Sequence, residues 1–387
     1  MPSLALFAFS LQTVATGLTA PMQYVANPAD STLAYVAERR GVIRLLVNDA
    51  LQTAQVLNIQ TRVTMSGEGG LLGMCLDPNF ATNRYFYLHF SNTTTLNTQV
   101  SRFQMAADFL SAAPASEQSV FNWNQSPYTN HKSGTIEFGP DGMLYVGLGD
   151  GGSGNDPLNR AQDMTTLFGK VLRIDPSGDD FPADSVQNYR IPASNPFASG
   201  WPNNVRREIW HVGVRNPFRW HFDPMTGSMI LADVGQNANE EVNFLLPNEA
   251  GKNLGWRMKE ADRWTGMKGR GFGRDTAIKP ATRPSVDPFV TMPRASGASV
   301  IGGYIYRGAN LPGRAGQYFF GDYVGNRLWA CPMTYDATGR AIPVPWASCE
   351  LLLSGFSGLV SIDTDKDGEL MITELNAGRV RRLIWIP

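Results

Sequence analysis

The chain has 387 residues, with 33 Lys+Arg against 34 Asp+Glu and a net charge of −1. So even a balance gives no basic field for nucleic acid and no charge excess of the kind that keeps a chain unfolded. With 39 glycines, 25 prolines and 17% charged residues, and no apolar run of about 18 residues, the composition is that of a turn-rich β protein without a membrane span.

Residues 1–8 are apolar, and the first basic residue is Arg39. Without a basic flank they read as an N-terminal extension or a trimmed signal remnant, and 9–387 as a single domain. From there one pattern recurs: a turn rich in Pro, Asp, Asn or Gly, then a short apolar, aromatic strand. Asn27-Pro28-Ala29-Asp30 precedes Leu33-Ala34-Tyr35-Val36, and Asp77-Pro78-Asn79 precedes Tyr85-Phe86-Tyr87-Leu88. Gly139-Pro140-Asp141-Gly142 leads into Met143-Leu144-Tyr145-Val146, and Asp223-Pro224-Met225-Thr226-Gly227 into Met229-Ile230-Leu231. Arg314-Ala315-Gly316 precedes Tyr318-Phe319-Phe320, and Asp365-Lys366-Asp367-Gly368 precedes Leu370-Met371-Ile372. Units this small cannot bury their own faces, and six of them predict radial closure into an all-β, six-bladed β-propeller. Long irregular stretches at 150–210 and 257–298 are of the length that usually carries function.

Three cysteines cannot form a complete disulfide framework. Cys75, in the run Leu71-Leu72-Gly73-Met74-Cys75-Leu76, reads as a small buried hydrophobe. Cys331 and Cys349 flank a turn-rich stretch, and the sequence leaves their pairing open. Asp363, Asp365 and Asp367 with Gly368 and Glu374 match the spacing of a calcium-binding helix-loop-helix. A strand at Leu370 to Thr373 would carry Glu374 away from such an ion, so a hairpin turn is the expectation, with weak calcium binding by the three aspartates as the alternative.

The chemistry gathers at two hairpin ends. If the first hairpin is symmetric about Pro140-Asp141, His131 falls opposite Asp150 at its open end, close enough for a side-chain hydrogen bond. An imidazole held by a carboxylate is a general base with a fixed tautomer. A second hairpin centred at Met225 sets Arg215 opposite Gly235 in the same way. In a propeller such ends share one face around the central channel. That face would combine an imidazole, a carboxylate, a guanidinium and several glycine-flanked carbonyls, a site for an anionic, oxygen-rich ligand.

Ordered blocks along nearly the whole chain resemble the glucose/sorbosone dehydrogenase family, soluble quinoproteins built as six-bladed propellers. They include Gly67-Glu68-Gly69-Gly70-Leu71-Leu72-Gly73, His131-Lys132-Ser133-Gly134, Gly149-Asp150, Gly169-Lys170-Val171-Leu172-Arg173, Val214-Arg215-Asn216-Pro217, Gly235-Gln236, Glu240-Glu241-Val242-Asn243 and Asn253-Leu254-Gly255-Trp256. The resemblance implies pyrroloquinoline quinone (PQQ) and Ca²⁺ as cofactors, and oxidation of an aldose or related polyol at a hydroxyl. It makes His131 the general base and Asp150 its orienting carboxylate. Arg215 and Asn216 then contact the quinone, and the carbonyls of Gly235 and Gln236 hold the calcium upon it. Glu241 and Leu254 match a second, structural calcium site. Glu68 and Asn155 stand where sugar-oxidising members carry glutamines near the bound molecules.

The resemblance further implies an external electron acceptor, a periplasmic or secreted location, and a monomer or homodimer. The C-terminal half departs from the quinone-binding pattern. Where those members place a lysine and two arginines, Phe320 to Arg327 and Gly355 to Leu359 supply at most Arg327. These strings are closer to the branch that includes Hedgehog-interacting protein. That branch implies the alternative: a non-catalytic propeller binding a protein or glycan partner on its top face.

Overall fold

The structure is a computed structural model describing residues 8–93, 96–199, 204–267 and 285–386; residues 1–7 of the expected extension lie outside it. Six four-stranded antiparallel sheets form the ring. Five follow the chain in order: blade 1 (21–58), blade 2 (71–123), blade 3 (136–212), blade 4 (219–293) and blade 5 (300–354). Blade 6 takes three strands from 359–386 and its outermost from the other end of the chain, Ala8–Ala15. That strand pairs with Arg379–Ile386 in the register Phe9↔Trp385 and Leu11↔Leu383, so main-chain hydrogen bonds close the ring.

Each of the six sequence turns joins the first two strands of one blade: 27–32, 77–84, 139–143, 223–228, the connection before Tyr318, and 365–369. The first strand lies innermost; Pro21–Ala26 packs against both Leu71–Leu76 and Leu359–Thr364. Because each sheet is sandwiched between two others, its second strand is covered on both faces. Leu33–Glu38, Leu144–Leu148 and Met229–Asp233 are buried at every position, which is why they read as continuous apolar runs without alternation. Between blades 1 and 2, for example, Tyr35, Leu45 and Leu57 pack on Met74, Phe86 and Leu88. Full burial of such a side chain contributes about 1.5–3 kcal/mol.

At the axis, Arg219 of blade 4 is fully buried and reaches across the ring. Its Nη1 donates to the Leu72 carbonyl (2.9 Å) and its Nη2 to that of Met22 (2.8 Å), tying three blades together. Burial pulls its pKa down to about 10, so it is cationic at neutral pH.

Both hairpin registers differ from the expected ones by a residue. Blade 3 pairs Ile136↔Val146 and Phe138↔Leu144, centred on Asp141. The cause is the turn: Gly139 N–H donates to the Met143 carbonyl (2.9 Å), and Asp141 accepts Met143 N–H, so five residues are spent where four were assumed. Blade 4 pairs Arg219↔Ala232 and Phe222↔Met229, its turn closed from Asp223 to Ser228. The Asp363–Gly368 segment is a hairpin turn between Leu359–Thr364 and Leu370–Glu374. Asp365 accepts the N–H groups of Asp367 and Glu369, and Glu374 serves Ser357, Arg379 and Arg381 at the far end of its strand. Among the described residues no group of three His, Cys, Asp or Glu side chains is set to hold a metal, and no helix is long and apolar enough to cross a membrane.

Cys75 is free and buried. Cys331 and Cys349 are bridged, joining neighbouring outer strands of blade 5 across an 18-residue separation. Closing a loop of that size removes unfolded-state entropy worth about 3 kcal/mol. Replacing both cysteines by alanine should therefore lower the unfolding free energy by about 3 kcal/mol in a denaturant titration. The central channel should be unaffected.

Candidate active site

The first strand of blade 3 begins only at Ile136, and the segment before it is irregular, with His131 and Ser133 at φ of 55° and 59°. Ladder pairing therefore does not bring His131 to Asp150. A close backbone approach does: a Cβ on Gly149 would lie 2.2 Å from the His131 carbonyl oxygen, so only glycine lets the two segments touch. His131 Nδ1 then meets Asp150 Oδ1 at 2.6 Å. Asp150 is held in turn by Gly152 N–H (2.9 Å) and by the indole Nε1–H of Trp256 (2.8 Å), and its own N–H donates to the Arg215 carbonyl. With Nδ1 occupied, Nε2 is the imidazole atom left to exchange a proton. His131 is only 3% exposed.

Arg215 and Asn216 are fixed by a carboxylate absent from the sequence reading. Asp233 accepts Arg215 N–H (2.7 Å) on one oxygen and Asn216 N–H (2.6 Å) on the other. Burial pushes its pKa up to about 7. Arg215 Nη1 donates to the carbonyls of Val234 and Gly235, both at 2.9 Å, and its guanidinium lies over the Trp256 ring. Asn216 accepts Ser133 N–H, and Glu68 Oε2 accepts His131 N–H at 2.6 Å.

These groups line one cleft of about 510 Å³ at the mouth of the channel, within the range of small-molecule sites. Glu68, His131, Arg215, Asn216, Gly235 and Gln236 are all on its wall. Two further cations join them. Arg39 comes from blade 1 and pins the Glu68 loop through the carbonyls of Gly67 and Gly69; Arg294 lies beyond the last strand of blade 4, 2.7 Å from Glu240. Tyr323, Val360 and Leu375 are what blades 5 and 6 offer in place of cations. Trp256 stands inside a matched sequence block, but nothing local in that block signals a cleft.

The remaining candidates lie elsewhere. Asn155 sits outside the cleft wall, exchanging hydrogen bonds of 2.5 Å with the Gln236 side chain. Glu241 and Leu254 are buried behind it. Among the described residues Glu241 Oε2 has no hydrogen-bond partner, and burial, then the charges of Asp233 and Glu240, raises its pKa well above the usual carboxylate range. A buried, unsatisfied carboxylate oxygen of this kind is chemically fitted to a cation.

Six blades in a ring, with a carboxylate-held imidazole, guanidinium groups and main-chain carbonyls gathered at one cleft, define the class: a six-bladed β-propeller. A family model described as Glucose / Sorbosone dehydrogenase matches residues 18–382, and the chain belongs to that family. HIPL1 protein of Arabidopsis thaliana is 29% identical over 371 residues, 80% of this chain and 52% of that protein. Hedgehog-interacting protein of Mus musculus is 24% identical over 395 residues, 97% of this chain and 52% of that protein. The chain thus spans about half the length of these curated relatives. In fold it is similar to the PQQ-bound form of aldose sugar dehydrogenase from Streptomyces coelicolor, with a TM-score of 0.72, 22% identity and 99% of each chain covered.

Beneath His131, the buried His89 donates through Nδ1 to the Gly134 carbonyl (2.9 Å). Burial pulls its pKa down to about 4, against an ordinary 6.5. Since the unfolded chain takes up this proton first, His89 contributes stability above pH 6.5 that is lost as the pH falls towards 4. Between pH 7 and pH 5 that component is about 2 kcal/mol. Denaturant titrations of wild type and His89→Gln at both values should differ by this amount, the wild type losing more at pH 5.

Proposed function

We propose that the chain is an oxidoreductase that oxidises aldose sugars or related polyols at a hydroxyl-bearing carbon, using PQQ and Ca²⁺ and passing electrons to an external acceptor. The observation that carries this reading is the His131–Asp150 pair set in the wall of an arginine-bearing cleft. Family membership and the sugar dehydrogenases that share the fold support it.

When bound, the quinone supplies the two-electron acceptor and Ca²⁺ a Lewis acid. The residues present fit such a group. Among the described residues three guanidiniums, Arg39, Arg215 and Arg294, face the cleft, and Arg215 Nε is buried without a partner. Arg215 and Asn216, with Arg39 and Arg294, would hold the cofactor's carboxylates; they replace the cations that blades 5 and 6 lack. The carbonyls of Gly235 and Gln236 would hold the calcium, and Glu241 with Leu254 a second ion. Glu68 and Asn155 border these groups, Glu68 in the cleft and Asn155 through Gln236.

His131 takes the substrate hydroxyl proton on Nε2. Asp150 keeps the other ring proton on Nδ1 and stabilises the imidazolium that forms, while Trp256 Nε1–H and Gly152 N–H hold Asp150 in place. His131 and Asp150 are themselves buried, which strengthens each of these interactions. The Cys331–Cys349 bridge supports an oxidising compartment, periplasmic or extracellular.

The apolar contribution of blades 5 and 6, with the similarity to Hedgehog-interacting protein, favours a second reading: a propeller whose top face binds a protein or glycan without catalysis. The two separate cleanly. Reconstituted with PQQ and Ca²⁺, the chain should reduce a dye acceptor with an aldose, and His131→Gln should lose about 10²–10⁴ in kcat. Glutamine fills most of the imidazole's buried volume, so PQQ should still bind to the variant. No calorimetric heat with micromolar PQQ on the wild type would leave the binding-module reading standing.

A further inference from the structure

One buried carboxylate outside the matched motifs holds the loop that bears the Gly235 and Gln236 carbonyls. Glu260 lies on the short hairpin formed by Lys259–Glu260 and Arg263–Trp264 and is 7% exposed. Its Oε1 accepts four consecutive main-chain N–H groups: Gln236 (2.7 Å), Asn237 (2.6 Å), Ala238 (2.8 Å) and Asn239 (3.4 Å). The loop is wrapped tightly around it; a Cβ on Gly235 would stand 1.8 Å from the Asn239 carbonyl oxygen, so this position admits only glycine.

Peptide geometry then dictates where the carbonyls go. In a planar trans peptide the C=O of one residue points opposite to the N–H of the next. Turning the N–H groups of Gln236 and Asn237 onto Glu260 turns the carbonyls of Gly235 and Gln236 away from it. Both residues line the cleft, and the Gly235 carbonyl already meets positive charge, at Arg215 Nη1. The carboxylate also polarises these peptides, adding negative charge to their oxygens.

We infer that Glu260 is a positioning residue for cation binding: its carboxylate gathers the N–H groups of residues 236–239 so that the carbonyls of Gly235 and Gln236 face the cleft as cation ligands. The inference rests on the calcium reading above but concerns a residue that does not touch the ion. It requires the charge of Glu260, since a neutral acceptor makes weaker bonds to four donors.

The test is Ca²⁺ titration by calorimetry after chelation, in a Glu241→Gln background that removes the other calcium candidate. Adding Glu260→Gln should weaken Ca²⁺ binding about 10- to 100-fold, the usual cost of losing a group that orients metal ligands. Glu260→Asp, which keeps the charge but shortens the reach, should fall between, and it serves if the glutamine variant does not fold. In the unsubstituted protein, hydrogen exchange should find the amides of residues 236–239 protected without calcium. Equal Ca²⁺ affinity with and without Glu260→Gln, or unprotected amides, overturns the inference while leaving the calcium reading intact. Absence of Ca²⁺ binding to the unsubstituted protein overturns both.

Discussion

The ring depends on what happens at its axis, where six innermost strands converge and their main-chain groups have no further strand to pair with. A carbonyl left unsatisfied there would cost about 1–3 kcal/mol. Arg219 meets this demand with one side chain, bonding the carbonyls of Met22 and Leu72 from two other blades. A guanidinium suits the task because its donors are fixed in a fork and its charge persists despite burial. Met22, Leu72 and Phe218, which flank it, are also wall residues of the cleft. The same interaction therefore joins the blades and sets the base on which the candidate site is built.

Above that base the site uses one device three times. A buried carboxylate accepts main-chain N–H groups and so folds a loop around itself: Asp150 with Gly152, Asp233 with Arg215 and Asn216, Glu260 with residues 236–239. Each leaves a different group facing the cleft: an imidazole, a guanidinium, a pair of carbonyls. Irregular loops gain in this way a rigidity that strands otherwise supply, and preorganised groups are what binding and proton transfer require. Burial, and after it the charges of neighbouring carboxylates, raises the proton affinity of Asp233 and Glu241.

Blades 5 and 6 depart from the quinone-binding pattern, and the cations of the cleft come from other parts of the ring. Positive charge enters the cleft from Arg39 on blade 1 and Arg294 after blade 4, while Tyr323, Val360 and Leu375 make the opposite wall apolar. A radial fold permits this exchange, because every blade presents a loop to the same channel and the ligand meets only their sum.

Much of this was legible in the sequence. The six turns marked the first hairpin of every blade, since Gly, Pro, Asn and Asp report local backbone geometry. His131 with Asp150, and Arg215 with Gly235, were paired by counting outward from those turns. The pairings survive although both registers are off by a residue, because the side chains meet in the irregular segments beyond the ladders, where one residue of slip can be absorbed. The disulfide remained open, since two cysteines do not encode the distance between their strands. Arg39, Arg219, Asp233, Trp256 and Glu260 escaped altogether. Their partners lie between 17 and 197 residues away, from Asp233 on Asn216 N–H to Arg219 on the Met22 carbonyl. The sequence by itself determined the blades, because short-range backbone preferences decide their turns and strands; it set His131 near Asp150 but not the close approach at Gly149 that joins them. Which charges share the cleft, and which carboxylates hold its loops, only the closed ring decided, by bringing six distant segments to one axis.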